Sequence, residues 1–510
     1  MTTDERLLAL SAVELRRRIG TKEISPVELL ETCIERIERI NPAVNAVTAV
    51  CYERAREEAS AAEKSVLRGK PLGLLHGLPT GIKDLEETGG LLTTFGSPLY
   101  RDFTPERDNA MVARVRAAGA IVVGKTNVPE FGAGANSRNV VWGATGNPFN
   151  PMLNAGGSSG GSAVALACDL LPVCTGSDTG GSLRIPAAKC GVIGFRPSPG
   201  LVPVERRSLG WTPISVVGPM GRTVADACLL MAAQTAMDDC DPLSYPVDAR
   251  AFATPEARDL ASLRVGYTED FGICPVDRSI RQVFRDKIKT MRHLFRSCDE
   301  LAFDVFAEAD RCFDVIRAAN YAARYRETYE KDSSSLGPNV RANYEIAAGM
   351  TMADVAWAHV EQTRMFRQFQ HTFRDYDLVL APTTPVSPFP WSQLYLTEMD
   401  GKPLRNYYHW LALTYVITLV TNPAIALPCG VDHKSMPFGL QVVGAFRADR
   451  ALLGAAHAME QAFAPIPSLR RPIPDLAKLA QPTLALKSIV THPPKTGTHT
   501  AANPVSATAL

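Results

Sequence analysis

The chain has 510 residues, 46% hydrophobic and 21% charged, which allows a large buried core and excludes the disordered, collagenous and coiled-coil classes. Its 54 Lys and Arg stand against 53 Asp and Glu, a net charge of +1 with no long block of one sign, which argues against nucleic acid as a partner. The cysteine count of 11 is odd, with no CxxC pair and no Cys/His cluster at zinc spacing; this fits reduced thiols in a cytoplasmic protein without a structural metal.

The opening MTTDERLLAL has no basic segment followed by an apolar run and a small-residue cleavage site, so the mature protein is expected to begin near Met1. Ser25 as N-cap, Pro26 at the first helical position and Glu28 closing a capping box predict a helix start. Leu30, Cys33, Ile34, Ile37 and Ile40 recur behind it at helical spacing, with Glu31, Glu35 and Arg39 facing outward. Residues 1–75 are therefore expected to form a helical segment packed on a core. GLPTGIKDLEETGG follows and sets Lys83 between apolar neighbours and glycine turns. A lysine in such a stretch reads either as a surface residue or as a desolvated amine able to act as a base.

From Asp108 the run DNAMVARVRAAG reads as an N-capped helix ending at Gly119, and Ala120 to Val123 reads as a buried strand. The letters GAIVVGKT, Gly119 to Thr126, also satisfy the phosphate-binding pattern GxxxxGK[ST]. A β-branched strand between the glycines commits its N–H groups to a sheet ladder and leaves none to converge on a phosphate, which argues against an NTPase.

Next comes GGSSGG, in which Gly157 to Gly161 matches the nucleophile-elbow pattern GxSxG with Ser159 at its centre. That motif must follow a strand, whereas TGNPFNPMLNAG is rich in loop formers. The run Ser162 to Cys168 predicts a helix, so the serines lie at its N-terminus, where negative charge is favoured. An apolar strand then leads into GSDTGGSLRIP, whose consecutive N–H groups before Ser182 could form a nest aimed at an oxyanion. The bland alternative for both glycine-rich segments is a tight or anion-binding loop.

The helix, strand and glycine-turn rhythm recurs at SLRVGY and YDLVLAPTTP and predicts one large α/β domain, residues 76–475, with a mixed sheet covered by helices on both faces. Residues 275–375 read as a mainly helical subregion. The apolar stretch Trp410 to Pro428 is interrupted by Thr421, Asn422 and Pro423, too early to span a bilayer, and reads as a buried helix followed by a core strand. Residues 481–510, rich in Thr, Pro, Ala and Ser, are expected to form a flexible tail.

Taken together, GLPTGIKD, GAIVVGKTNVPEFGAGANS, GATGNPFN, GGSSGGSAVALA, GSDTGGSLRIPAAKCGVIGFRPSPGLVP, APTTP, NPAIALP and PFGLQVVG resemble the amidase signature family, over roughly residues 5 to 465. The resemblance implies that Ser182 is the nucleophile, Ser158 a bridging serine preceded by a cis peptide bond, and Lys83 the base. It further implies oxyanion-hole N–H groups from Thr179, Gly180, Gly181 and Ser182, and supporting roles for Ser159, Asp178 and Arg184. Ser177 stands where some members carry threonine, which keeps the hydroxyl.

The reading that follows is an amidase without metal or cofactor. It cleaves the carbon–nitrogen bond of a small amide through an acyl-enzyme, with no membrane partner, as a monomer or homodimer. In this family the helical segment and the apolar, aromatic Asn406 to Val420 segment, alongside the GANS loop with Gly134, Asn136 and Ser137, are expected to shape a substrate pocket. Such walls suit an aryl or alkyl amide, an anilide or a carbamate. Two alternatives remain: the glutaminase component of a tRNA-dependent amidotransferase, as some family members are, and an ester-specific α/β-hydrolase using Ser159.

Overall fold

A computed structural model describes residues 3–495. Eleven strands form its main sheet: β1 (Val47–Val50), β2 (Pro79–Lys83), β3 (Ile121–Thr126), β4 (Val173–Asp178), β5 (Ile193–Arg196), β6 (Val216–Gly221), β7 (Arg264–Tyr267), β8 (Ser297–Glu300), β9 (Leu378–Pro382), β10 (Ala424–Val431) and β11 (Pro437–Gly444). Their order across the sheet is β1-β3-β2-β4-β6-β5-β10-β11-β9-β7-β8. The sheet is mixed as expected: β2 runs parallel to both β3 and β4, whereas β4, β6, β5, β10, β11 and β9 alternate in direction. Such central strands, buried on both faces, read as short apolar runs because helices cover the sheet on either side.

The helix Pro26–Val44 begins as the capping signal predicts. The Ser25 hydroxyl accepts from the Val27 N–H at 2.9 Å, and the Glu28 carboxylate reaches back to the Ser25 N–H. Leu30, Cys33, Ile34, Ile37 and Ile40 are all buried. The helix runs on past Ile40 to Val44, with Pro42 inside its last turn. Residues before 76 are mainly helical but also supply β1, an edge strand antiparallel to β3. The would-be phosphate loop is strand throughout its second half, and Lys125 lies fully buried within β3.

The mainly helical subregion contains Arg278–Met291, Ala309–Asp332, Pro338–Ala348 and Met352–Asp375, interrupted by β8. The stretch Trp410 to Pro428 forms the buried helix Ala412–Leu419 and then enters β10. The tail departs from expectation. Leu486 is 1% exposed and packs with Ala144 and Trp391, while the N–H groups of Thr483 and Thr491 donate to the Pro42 and Val140 carbonyls. A few apolar side chains with cross-chain backbone hydrogen bonds anchor 481–495 despite its polar composition; 496–510 lie outside the described residues.

Candidate active site

β2 and β4 are parallel neighbours, so the residues ending them, Lys83 and Asp178, emerge at the same edge of the sheet. The carboxyl ends of parallel strands are where open α/β sheets place ligand sites. The Lys83 N–H donates to the Thr175 hydroxyl of β4 at 2.9 Å, which fixes the register between the strand ends.

Lys83 is fully buried, and its Nζ lies 2.7 Å from Ser158 Oγ, 2.8 Å from Ser159 Oγ, 2.9 Å from Ser177 Oγ and 3.3 Å from the Ser177 carbonyl. Burial pushes its ammonium down from the ordinary 10.5 to about 7, against the opposing pull of the Glu86 and Asp178 carboxylates. Among the described residues no carboxylate touches the nitrogen; its neighbours are hydroxyl and carbonyl oxygens. Such a setting favours the neutral amine, which can accept a proton.

The serine loop is held from several sides. The Gly157–Ser158 peptide is cis. The Ser137 hydroxyl donates to the Ser158 carbonyl at 3.3 Å and accepts from the Gly160 N–H at 3.0 Å. At Gly160 a Cβ would lie 2.4 Å from Ser137 Oγ, so a side chain there would push this clamp apart. The Ser159 N–H donates to the Ser182 carbonyl at 3.3 Å, joining the two glycine-rich segments directly. The helix Gly160–Ala167 then leads away from the serines, as its alanine-rich sequence predicts.

Asp178 organises the second segment. Its carboxylate accepts from the Gly181 N–H at 2.8 Å, the Leu183 N–H at 3.2 Å, and Arg184 Nε and Nη2 at 3.0 and 2.9 Å. Arg196 Nη1 adds a contact at 3.2 Å and also donates to the Asp178 carbonyl at 2.7 Å. Burial alone would raise this carboxyl, but Arg184 and Arg196 hold it well below the ordinary carboxylate range. Arg184 continues to the Thr414 carbonyl at 2.9 Å and the Gln441 side chain at 2.7 Å, tying the turn to the Ala412–Leu419 helix and β11. Asp178 and Arg184 thus hold the turn through hydrogen bonds and an ion pair.

One expectation needs correction. The Gly181 N–H is engaged by Asp178 and is not free to meet an oxyanion. An aspartate side chain bonding the N–H three residues on is a common local turn, and DTGG carries that signal. Among the described residues, the N–H groups of Thr179, Gly180 and Ser182 make no hydrogen bond. Gly181 has a structural task instead. Its φ is +120°, and a Cβ there would lie 2.3 Å from Thr414 Oγ1, the hydroxyl that donates to the Gly180 carbonyl at 2.6 Å.

Ser158, Ser177, Thr179, Gly180 and Ser182 all line one cavity of about 190 Å³. Gly134 lines it too. Asn136 and Ser137 do not: both are buried, Asn136 donating to the Trp391 and Gln393 carbonyls and Ser137 clamping the Ser158 loop. Ser159, also fully buried, is absent from the lining, and among the described residues its hydroxyl meets Lys83 and Ser177 and no histidine. Of the Asn406 to Val420 segment only Leu411 faces the cavity; its other wall carries Arg206, Arg207, Arg317 and Arg324 with Tyr321 and Tyr325. A larger surface groove of about 610 Å³ contains His433, which makes no hydrogen bond to Ser279, Ser468 or Asp432 beside it and so forms no Ser-His-Asp array.

Sequence reasoning gives Ser177 only a retained hydroxyl and does not single out Arg196, Thr414 or Arg317. Ser177 was within reach, because it lies two residues from Thr175 on the same face of β4 and both hydroxyls meet Lys83. The others join the site only through long-range packing.

The family model described as Amidase matches residues 28–453. A glutamyl-tRNA(Gln) amidotransferase chain from Acaryochloris marina is 33% identical over 472 residues, covering 88% of this chain and 96% of that protein. The acylamidase of Rhodococcus erythropolis is 32% identical over 459 residues, covering 89% and 95%. Among solved structures, a bacterial aryl acylamidase of the amidase signature family superposes with a TM-score of 0.81 at 28% identity, covering 90% of this chain and 96% of the other. The chain therefore belongs to the amidase family, has the amidase signature fold, and is an amide-hydrolysing enzyme.

Proposed function

We propose that the protein hydrolyses small amides through an acyl-enzyme on Ser182, with Ser158 as proton relay and Lys83 as base. The observation that carries this reading is the 2.7 Å hydrogen bond between a buried, neutral-leaning Lys83 amine and Ser158 Oγ, at a cavity that Ser182 also lines.

A neutral amine has two N–H donors and one lone pair, whereas Lys83 has four oxygen neighbours, so a hydroxyl can donate to it. Ser158, the nearest, is the natural donor. Ser182 Oγ attacks the carbonyl carbon as its proton passes to Ser158 Oγ and the Ser158 proton passes to Lys83 Nζ. The N–H groups of Thr179, Gly180 and Ser182 stabilise the oxyanion. Lys83 returns the proton through Ser158 to the leaving nitrogen as the carbon–nitrogen bond breaks. Water then attacks the ester by the same relay and regenerates Ser182. Ser159 and Ser177 hold the lysine in place.

The substrate is a small aryl or alkyl amide, an anilide or a carbamate. A screen of the purified chain against primary amides, anilides, carbamates and p-nitrophenyl esters tests the reading; ester cleavage without amide cleavage would contradict it. The 33% identity to an amidotransferase chain favours one second reading, a glutaminase working within a larger complex. Amide hydrolysis by the isolated chain at rates unchanged by partner proteins would exclude it. Among the described residues no helix is long and apolar enough to cross a membrane.

A further inference from the structure

Four arginines line the cavity, and they differ in their partners. Arg206 is paired with Glu87, and Arg207 with Asp241 at 3.1 Å. Arg317 and Arg324 have no carboxylate within ion-pair distance among the described residues. Arg324 is exposed at the rim, but Arg317 is only 6% exposed.

The Arg317 guanidinium is built into its position. Nε donates to Asn343 Oδ1 at 2.9 Å, and Nη2 donates to the phenol oxygens of Tyr407 at 2.7 Å and Tyr321 at 3.2 Å. Asn343 is itself braced by the Asn339 carbonyl at 2.6 Å and by Tyr407 at 2.7 Å. The rings of Tyr321 and Tyr408 lie 5.0 and 5.1 Å from the guanidinium carbon. Every one of these partners is neutral, and Nη1 has none among the described residues. A buried charge normally has an opposite charge beside it, because neutral groups offset only part of the lost hydration. Among the described residues no carboxylate pairs with this guanidinium.

The position links that charge to the chemistry. Arg317 lies four residues beyond Phe313, about 6 Å along the Ala309–Asp332 helix. The edge of the Phe313 ring packs against Gly180, its Cζ 3.2 Å from where a Gly180 Cβ would be, and the Arg317 guanidinium carbon lies 5.8 Å from the centroid of the same ring. Arg317 lines the same cavity as Ser158, Thr179, Gly180 and Ser182, so one small molecule filling it meets both the turn and the guanidinium. A planar guanidinium matches a carboxylate in shape and charge.

We propose that the amide substrate carries a carboxylate and that Arg317 binds it, so that Arg317 selects anionic amides over neutral ones. This rests on the acyl-enzyme reading above. Arg324 at the rim adds positive potential on the way in.

The test compares two matched substrate pairs. Glutaryl p-nitroanilide against pentanoyl p-nitroanilide places the carboxylate on the acyl half, and 4-acetamidobenzoate against acetanilide places it on the amine half. Wild type is expected to favour the charged member of one pair by about tenfold or more in kcat/KM, and R317Q to bring that preference down to about one. Partial return of the preference in R317K identifies the charge as its source. Because R317Q disturbs a buried network, a measurement on wild type stands beside it: glutarate slows fluorophosphonate labelling of Ser182, and pentanamide at the same concentration does not. Equal turnover within both pairs, a preference that survives R317Q, or labelling indifferent to glutarate overturns the proposal. Failure of wild type to be labelled at Ser182 at all overturns the acyl-enzyme reading and this proposal together.

Discussion

The acylation rate should depend on pH through Lys83 alone across the neutral range. Burial moves this amine from 10.5 to about 7, equivalent to about 5 kcal/mol in favour of the neutral form. With that value, roughly one-tenth of the enzyme holds a neutral base at pH 6, about half at pH 7 and roughly nine-tenths at pH 8. The second-order rate of Ser182 labelling by a fluorophosphonate reads acylation without needing the natural substrate. Its logarithm should climb with a slope near one below pH 7 and flatten above it. The sign follows from the role: protonation removes the lone pair that accepts the Ser158 proton, so activity is lost as pH falls. Glu86 pulls the lysine upward, and Glu86→Gln should therefore move the inflection to lower pH. Lys83→Met should abolish the inflection together with most of the rate. A flat profile from pH 5 to 8, or an inflection near the ordinary lysine value, would refute the argument that a neutral Lys83 is the base.

Ser158→Ala should slow labelling about 10²–10⁴-fold with the melting temperature preserved, and near wild-type rates would remove Ser158 from the proton path. Asp178→Asn leaves two buried guanidinium groups without their carboxylate and should cost about 3–5 kcal/mol in urea unfolding; a loss below about 1 kcal/mol would show that the turn does not depend on that charge. Because the folded carboxyl is held below its ordinary 3.8, its stabilising share is complete above that pH and declines as pH falls further, so Asp178→Asn should also flatten the acid limb of the stability profile. Gly181→Ala, with a positive φ and a Cβ 2.3 Å from Thr414 Oγ1, should lower stability by about 1–3 kcal/mol and displace the Gly180 carbonyl, cutting the labelling rate.

Much of this is legible in the chain. Capping chemistry at Ser25 and Glu28 predicts a helix because it depends on residues three apart, and the apolar periodicity behind it needs no knowledge of the fold. The false phosphate motif fails on the same local ground, since β-branched residues between its glycines belong in a strand. Lys83, Ser158, Ser177 and Ser182 are visible as residues with suitable chemistry, but that Lys83 reaches Ser158 depends on a pairing across 75 positions. Arg184 meets Gln441 across 257 positions and Arg317 meets Tyr407 across 90, contacts that no local pattern encodes. For the same reason the pocket reads as apolar in the sequence. The aromatic residues of Asn406 to Val420 are expected to face substrate, whereas Tyr407 and Tyr408 stand behind Arg317 and orient it. The packed residues 481–495 escape composition-based reasoning because one buried leucine and a few backbone hydrogen bonds suffice to anchor a polar segment.

The central claim, that Ser182 forms the acyl-enzyme, is tested most directly by fluorophosphonate labelling followed by peptide mass spectrometry. The account predicts one covalent adduct, on the peptide containing Ser182, absent from Ser182→Ala, which also loses amide hydrolysis. An adduct on Ser159, or a Ser182→Ala variant that hydrolyses amides at the wild-type rate, would contradict it.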